Sequence, residues 1–586
     1  MNEVEEAFSK LSPKDLWSHV VYFSHITKIS GSENEWAACE YIKKALEEYE
    51  IPVEVHEFYS FLSYPLKAKL IILSPEYKEI ECITHSFSSS TPVDGIEAEI
   101  CYIGSEKAKK CGKKLIKRKI TLIDGTASPL AVKMTEDNGA AGQIHISGED
   151  VIHEMIVTTI WGTPTPESLE RLPNIPVISI RKKDGDYLKS LCEKGSVRAR
   201  LLTKTWTGWK KIRIPVATIR GSGSEAEKYV IVGGHYDSWY EGATDNGTGN
   251  AACIELARLL ATLPEGTLKR SVKIAWWPGH STGRYSGSTW FADSQWKDLN
   301  RNAIAYLNVD SPGCNRAITY VLEAMAELRD YATKIINEVT GLPWKMDRPG
   351  RYGDESFWGL GIPSLDVYSM LPENEQAPEV GGSGGGWWWH TKYDTIDKAN
   401  ISILIRDLKV LLYATAGLCS CQILPFDFSC TADEILEALN NLQKGSKLDL
   451  MDVVHDAEEL KETSKKLNSI LPKVLSTYEN LNKPKDMDKY EMLLDTVNAS
   501  LMRICRIIIP MLYNECGRYD QEPAFNKPLI PALQPVSVLS EMKEESGQFR
   551  FLKTKLIREK NSVSDSINLA TELIKELIKL VEEKLQ

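Results

Sequence analysis

Apolar runs of strand length recur between residues 229 and 421, separated by stretches whose apolar and charged residues alternate at helical spacing. Tyr229 to Val232 (YVIV), Ser271 to Pro278 (SVKIAWWP) and Ala303 to Val309 (AIAYLNV) read as strands, while Asn250 to Leu263 and Ala324 to Val339 read as amphipathic helices. That alternation predicts an α/β fold, a mixed sheet covered by helices. Upstream, Glu35 to Tyr49 (EWAACEYIKKALEEY) has helical spacing with Ser32 placed as its cap, and residues 66 to 83 read as strands around a Ser74-Pro75 turn. Between about 95 and 203 the short runs ICYIG, KITLIDG, AAGQIHIS and IPVISI flank a helix-like stretch around Ala131 to Gly139. They predict an inserted β-rich unit that borders the functional cleft. After Pro425 the chain turns to long charged helices whose apolar stripe ends in Ile567, Leu573, Ile574, Leu577 and Val581. The division that follows is a discontinuous α/β domain (1–94 and 204–425), an insert (95–203) and a helical unit (426–586). Most of the helical stripes pack within the chain, and the remainder is available for a subunit contact.

A length of 586 residues exceeds what one core accommodates, in keeping with several domains. The net charge of -11 and the lack of a basic stripe exclude a general nucleic-acid binder. No apolar run reaches the ~18 residues of a membrane span, and the N-terminus (MNEVEEAFSKLSPKDLWSHV) is acidic rather than signal-like. The twelve cysteines are scattered, with only Cys419 and Cys421 close together, which fits a reduced, cytoplasmic protein.

The chemistry stands at the ends of the strand-like runs. YVIVGGHYDSWYEGATDNGTGN carries His235, Asp237 and Asp245; SVKIAWWP leads to Gly279, His280 and Ser281; AIAYLNV leads to Asp310; and Trp387 to Trp389 leads to His390. In open α/β sheets, ligands gather beyond the carboxyl ends of strands, so these segments can converge. His235 offers an imidazole nitrogen, Asp237 a group to fix its tautomer, and Asp245 a carboxylate that serves one ion or bridges two. The run GGSGGG (Gly381 to Gly386) lacks the context of a phosphate-binding loop and reads either as a mobile flap or as a surface connection.

With these segments in view, the chain resembles the aminopeptidase and glutamate carboxypeptidase family of co-catalytic zinc hydrolases, in its branch with a protease-associated insert and a transferrin-receptor-like helical end. The resemblance is carried by GGHYDSW with GATDNGTG, NVDSPG, GRYGDESFWGLGIPS and HTKYDT, and for the insert by KITLIDG, NGAAG and IPVISI. It implies one metal on His235, Asp245 and Asp310, a second on Asp245 and His390, and Asp237 orienting His235. Zinc is the implied metal, as one or two ions, with nickel, iron or manganese as alternatives. The resemblance also implies a homodimer formed through the helical unit.

The family's remaining pair, two adjacent glutamates acting as general base and second-metal ligand, belongs in WWPGHSTGRYSGSTW. There this chain has His280 and Ser281. Three readings of His280 stand: a replacement ligand sharing its ion with Asp245 or His390, a replacement base, or a structural residue. Seven tryptophans (Trp276, Trp277, Trp290, Trp358 and Trp387 to Trp389) lie near these segments, pointing to a flat aromatic or apolar pocket with Trp389 at the site, while core packing is the reading for at least half of them. Arg284 and Arg351 are candidates to grip a substrate carboxylate, with surface salt-bridging as the alternative. The function expected is hydrolysis of an amide or related C–N bond in a small-molecule or peptide substrate. A non-catalytic scaffold and a different metal-assisted reaction are the alternatives.

Overall fold

A computed structural model of the chain describes residues 2–104, 113–479 and 484–585. One continuous sheet runs through the first two units. In the α/β part its order is Trp344–Asp347, Thr319–Ala324, Ser364–Met370, Ala303–Asn308, Tyr229–His235, Ser271–Trp277 and Arg198–Ile219. Tyr229–His235 is parallel to both of its neighbours, Ser271–Trp277 on one side and Ala303–Asn308 on the other. The chain therefore crosses over this central strand, and a crevice opens beyond its carboxyl end, where such sheets bind ligands. Its seven residues are all buried, which accounts for the unbroken apolar run in the sequence.

Helices cover the sheet as their spacing predicts. Glu33–Glu47 begins where Ser32 accepts the Glu35 amide at 3.2 Å, and Thr248–Ala261 packs almost wholly buried. Trp276 and Trp277 are fully buried and Trp358 nearly so, and Trp290 stacks on Phe58 at 4.3 Å. These four of the seven tryptophans pack into the core, as expected for at least half of the cluster.

The inserted unit differs from expectation in where it begins. Val53–Ser74 and Arg198–Ile219 pair antiparallel along a 22-residue ribbon that belongs to both sheet regions. Cys82–Thr84 pairs with Val177–Ile180 inside the insert, so the unit takes in chain before residue 95. Its centre is parallel: Ile96–Tyr102, Ile120–Asp124, Gly142–Ile146 and Val177–Ile180 run side by side, with Pro129–Asp137 and Lys182–Lys194 as helices.

The helical end consists chiefly of Phe428–Gln443, Met451–Glu479, Pro484–Tyr513 and Gly547–Leu585. Ile567, Ile574, Leu577 and Val581 are buried, in an apolar core that continues into the sheet domain. Buried Arg506 ties it to the sheet domain by donating to the carbonyls of Gly361 (2.6 Å), Asn300 (3.0 Å) and Ala303. Among the described residues no helix is long and apolar enough to cross a membrane.

Candidate metal centre

The Gly233-Gly234-His235 sequence is required by crowding at the strand end. A Cβ on Gly234 would stand 2.2 Å from the Val309 carbonyl oxygen, and one on Gly233 2.3 Å from Trp277 Nε1. Small residues there let the strands close up and carry His235 to the mouth of the crevice. His235 Nδ1 lies 2.9 Å from the Asp237 carbonyl oxygen, which accepts a hydrogen bond from Nδ1–H and so turns Nε2 outward as the ligand atom.

Nε2 of His235 is 2.9 Å from Asp245 Oδ1 and 3.7 Å from Asp310 Oδ2, while Asp245 Oδ2 is 3.1 Å from His390 Nε2. His235 Nε2 and Asp245 Oδ1 are nevertheless both buried without a hydrogen-bond partner. Two orphaned donor atoms this close, each turned toward a common space, fit a divalent cation. The electrostatics agree in direction. Burial opposes charge on His235, yet Asp310 and Asp245 outweigh it and hold the imidazole well above its usual range. Burial likewise opposes charge on Asp245, yet His235 and His390 hold that carboxyl well below its usual range.

The surrounding groups fix these ligands in place. Asp394 accepts the amides of Thr244 (3.0 Å) and Asp245 (2.9 Å) and the Thr244 hydroxyl (2.7 Å). His390 Nδ1 is 2.7 Å from the Glu154 carbonyl oxygen, the Glu154 amide donates to the His390 carbonyl at 3.0 Å, and His153 Nδ1 is 2.6 Å from the Trp389 carbonyl oxygen. The insert thus clasps the last ligand from above. Trp389 stacks on the His390 ring with centroids 3.7 Å apart. Sequence reading missed His153 and Glu154, since their contacts to the site run through backbone carbonyls and amides that leave no pattern of side-chain types.

Asp237 has a wider role than orienting His235. Its carboxylate accepts the Ser30 hydroxyl (2.7 Å) and the amides of Ser281 (2.8 Å) and His280 (3.2 Å), so it holds the turn that presents His280. His280 Nδ1 is 3.0 Å from Asp354 Oδ2, and Asp354 also accepts the Ser288 hydroxyl at 2.9 Å. Burial pushes His280 down to about 3 and Asp354 up to about 7, so both groups resist taking on charge.

His280 gathers with His235 and Asp310, one ligand atom of each lying within 4.8 Å of the others. Its ring lies face to face on that of His235, with centroids 3.8 Å apart and planes inclined by 18°. An imidazole holds an ion in its own ring plane, along the nitrogen lone pair. Two nearly parallel stacked planes share no such point close to both nitrogens, so this orientation does not make His280 a ligand alongside His235.

Below the ligands opens a cavity of about 440 Å³, with Asp245, Asp310, His280, His390, Trp389 and Arg284 in its wall. Thr126, Ser128, Pro129, Met155 and Ile156 of the insert line it as well. The glycine-rich run forms another wall. Ser383 to Gly385 are buried, and the Gly384 and Gly385 carbonyls accept the amides of Leu371 (3.0 Å) and Ala377 (2.8 Å), so the run is anchored and is not a free flap.

Arg351 is elsewhere. Its buried guanidinium donates to the carbonyls of Glu355 (2.9 Å) and Glu522 (2.8 Å) and lies over the Trp161 ring at 3.7 Å, pinning the helical end to the sheet domain. These contacts give Arg351 a structural role, and it is not in the wall of the cavity beside the ligands. Arg351→Met should therefore cost about 2–4 kcal/mol in denaturant unfolding, from two carbonyls left unsatisfied. Turnover per folded molecule should stay within about twofold; lost turnover at unchanged stability would return Arg351 to the substrate side.

Residues 216–415 match the model of Peptidase family M28. The probable glutamate carboxypeptidase AMP1 of Arabidopsis thaliana is 37% identical over 264 residues, 40% of this chain and 34% of that protein. The probable glutamate carboxypeptidase VP8 of Zea mays is 28% identical over 259 residues, covering 40% and 34%. The chain thus spans about a third of the length of these relatives. Among solved structures, a zinc aminopeptidase of Bacillus subtilis superposes with a TM-score of 0.54 at 21% identity, over 69% of this chain and 95% of the other. A Peptidase M28 precursor of Shewanella amazonensis gives 0.57 at 19%, over 72% and 96%. These two show the shared fold. The matched segment 216–415 carries His235, Asp245, His280, Asp310 and His390, and over it the chain is similar to Peptidase family M28 and to the probable glutamate carboxypeptidases of plants.

Proposed function

We propose that this chain is a metal-dependent hydrolase that cleaves an amide or peptide bond in a small substrate. The observation that carries the reading is the orphaned pair His235 Nε2 and Asp245 Oδ1, set between Asp310 and His390 at the wall of a cavity. Imidazole nitrogens with carboxylate oxygens suit zinc first, with nickel, iron or manganese as alternatives. A dication held there would polarise the substrate carbonyl and acidify water.

The chain's own residues supply the rest. Asp245 faces both His235 and His390 and is placed to serve two subsites, but Ser281 stands where the resemblance calls for a second carboxylate ligand, which leaves the His390 side short of one anion. His280, tied through Nδ1 to Asp354, has its Nε2 as the face available to accept a proton from water. The Arg284 guanidinium, in the cavity wall, donates to the Ala524 carbonyl at 3.3 Å and is the lining group suited to a substrate oxygen.

Protein purified without chelators should contain at least one equivalent of a divalent metal. Adding zinc to the stripped protein should raise its unfolding free energy, by about 2.7 kcal/mol at a hundredfold excess over Kd. A protein that takes up no metal and gains no stability would leave the scaffold reading in its place.

A further inference from the structure

Beneath the ligands the cavity meets carboxylates that the metal centre does not use. Asp366 is the cross-strand neighbour of Asn308 on one side and of Glu323 on the other, so the three stand in one row across the sheet. Asp366 lines the cavity and is 9% exposed. Its Oδ2 accepts the Asn308 side-chain amide at 2.9 Å, and its Oδ1 has no hydrogen-bond partner. Glu323 is 3% exposed and accepts the hydroxyls of Tyr352 (2.5 Å) and Tyr368 (2.6 Å), both of which line the cavity. Among the described residues neither carboxylate is paired with a lysine or arginine, and burial, then the charge of Glu323, pushes Asp366 well above the usual carboxylate range.

Two buried carboxylates without a counter-charge are at rest only when protonated or when a cation joins them. The aromatic rings of Tyr352 and Tyr368 at the same place suit a cation too. Asn308 stands two residues before Asp310, about 6–7 Å along an extended chain. A cation at Asp366 is therefore deeper than an α-amino group next to a carbonyl at the ligands would be.

We propose that this row is a specificity pocket for a substrate cation, in which Asp366, backed by Glu323, receives the side-chain ammonium or guanidinium of a basic amino-acid amide. The proposal rests on the hydrolase reading for its substrate and departs from the acidic residue named for the plant relatives, whose side chain these carboxylates would repel. Arg284, also in the cavity wall, is anchored at one end to the Ala524 carbonyl and, among the described residues, forms no ion pair with Asp366 or Glu323.

The test compares kcat/KM for the 4-nitroanilides of lysine and norleucine, equal in shape apart from the charged end, on the metal-loaded full chain. Lysine should be favoured about tenfold or more, as a charge-assisted contact implies, and Asp366→Asn should bring the ratio to about two or less with an unchanged unfolding midpoint. Glu323→Gln gives a second reading if Asp366→Asn does not fold. Equal rates in the native chain, or a preference that survives both substitutions, would overturn the pocket. If neither anilide is hydrolysed, the hydrolase reading falls, and calorimetric binding of lysinamide against norleucinamide decides the pocket by itself. The same preference and its loss in Asp366→Asn would support it, and equal binding would overturn it.

Discussion

Asp245→Ala should empty the centre of metal and reduce amide turnover by about 10³-fold or more, the largest effect expected of any single substitution in this chain. The reason is position. Asp245 is the one side chain facing both His235 (2.9 Å) and His390 (3.1 Å), and its own amide is held by Asp394 at 2.9 Å. Losing an outer partner of a metal ligand costs about 10 to 100-fold in affinity or activity, which is the range expected for Asp394→Asn. Removing the carboxylate itself takes a ligand from both histidines at once and leaves two imidazoles without an anion between them, so it must exceed that range. Metal analysis of the purified variants, with turnover measured on the same samples, decides the matter. Undiminished metal in Asp245→Ala would sink the site as drawn.

How far the sequence reveals this centre depends on which level of structure carries each part. His235, Asp245, Asp310 and His390 are legible because each follows an apolar run, and in a sheet of this kind the ends of such runs converge. Asp354 is not legible in its role, because GRYGDESFW has no periodicity and offers Asp354 and Glu355 side by side. Only the fold shows that Asp354 turns to His280 while Glu355 accepts Trp358 and Ser364. Arg351 misled for a related reason: a guanidinium satisfied by backbone carbonyls leaves no partner in the sequence, so burial and exposure read alike. The insert's boundary was hidden by continuity, since the Val53–Ser74 and Arg198–Ile219 strands run without a break from one sheet region into the other. The acidic row behaves in the same way, because Glu323, Asp366 and Asn308 lie on three separate strands and become neighbours only through register.

His280→Ala should keep the full metal content and lose turnover by about 10² to 10⁴-fold, the signature of a missing base. The stacked geometry separates this outcome from its rival. A ring lying 3.8 Å over His235 at 18° does not aim its lone pair at an ion in the His235 plane, but one of its nitrogens stays within 4.8 Å of ligand atoms of His235 and Asp310, and with Nδ1 on Asp354 its Nε2 is the edge free to take a proton from water. Asp354 is a positioning residue in this scheme. It fixes the Nδ1 tautomer and favours the imidazolium that forms, so Asp354→Asn should cost about 10 to 100-fold. The sign of its pH effect follows from burial: Asp354, pushed up to about 7, becomes the anionic partner of His280 only as the pH rises through that value, so Asp354→Asn should flatten the acid limb of the pH profile near 7 while kcat falls. A residue that only supported the fold would lower the unfolding midpoint without moving that limb. If His280→Ala instead loses one metal equivalent together with turnover, the imidazole must rotate off His235 when metal binds, and His280 is a ligand. If it loses neither, the ring serves only to pack against His235 and Tyr285, and the proton must leave by another route.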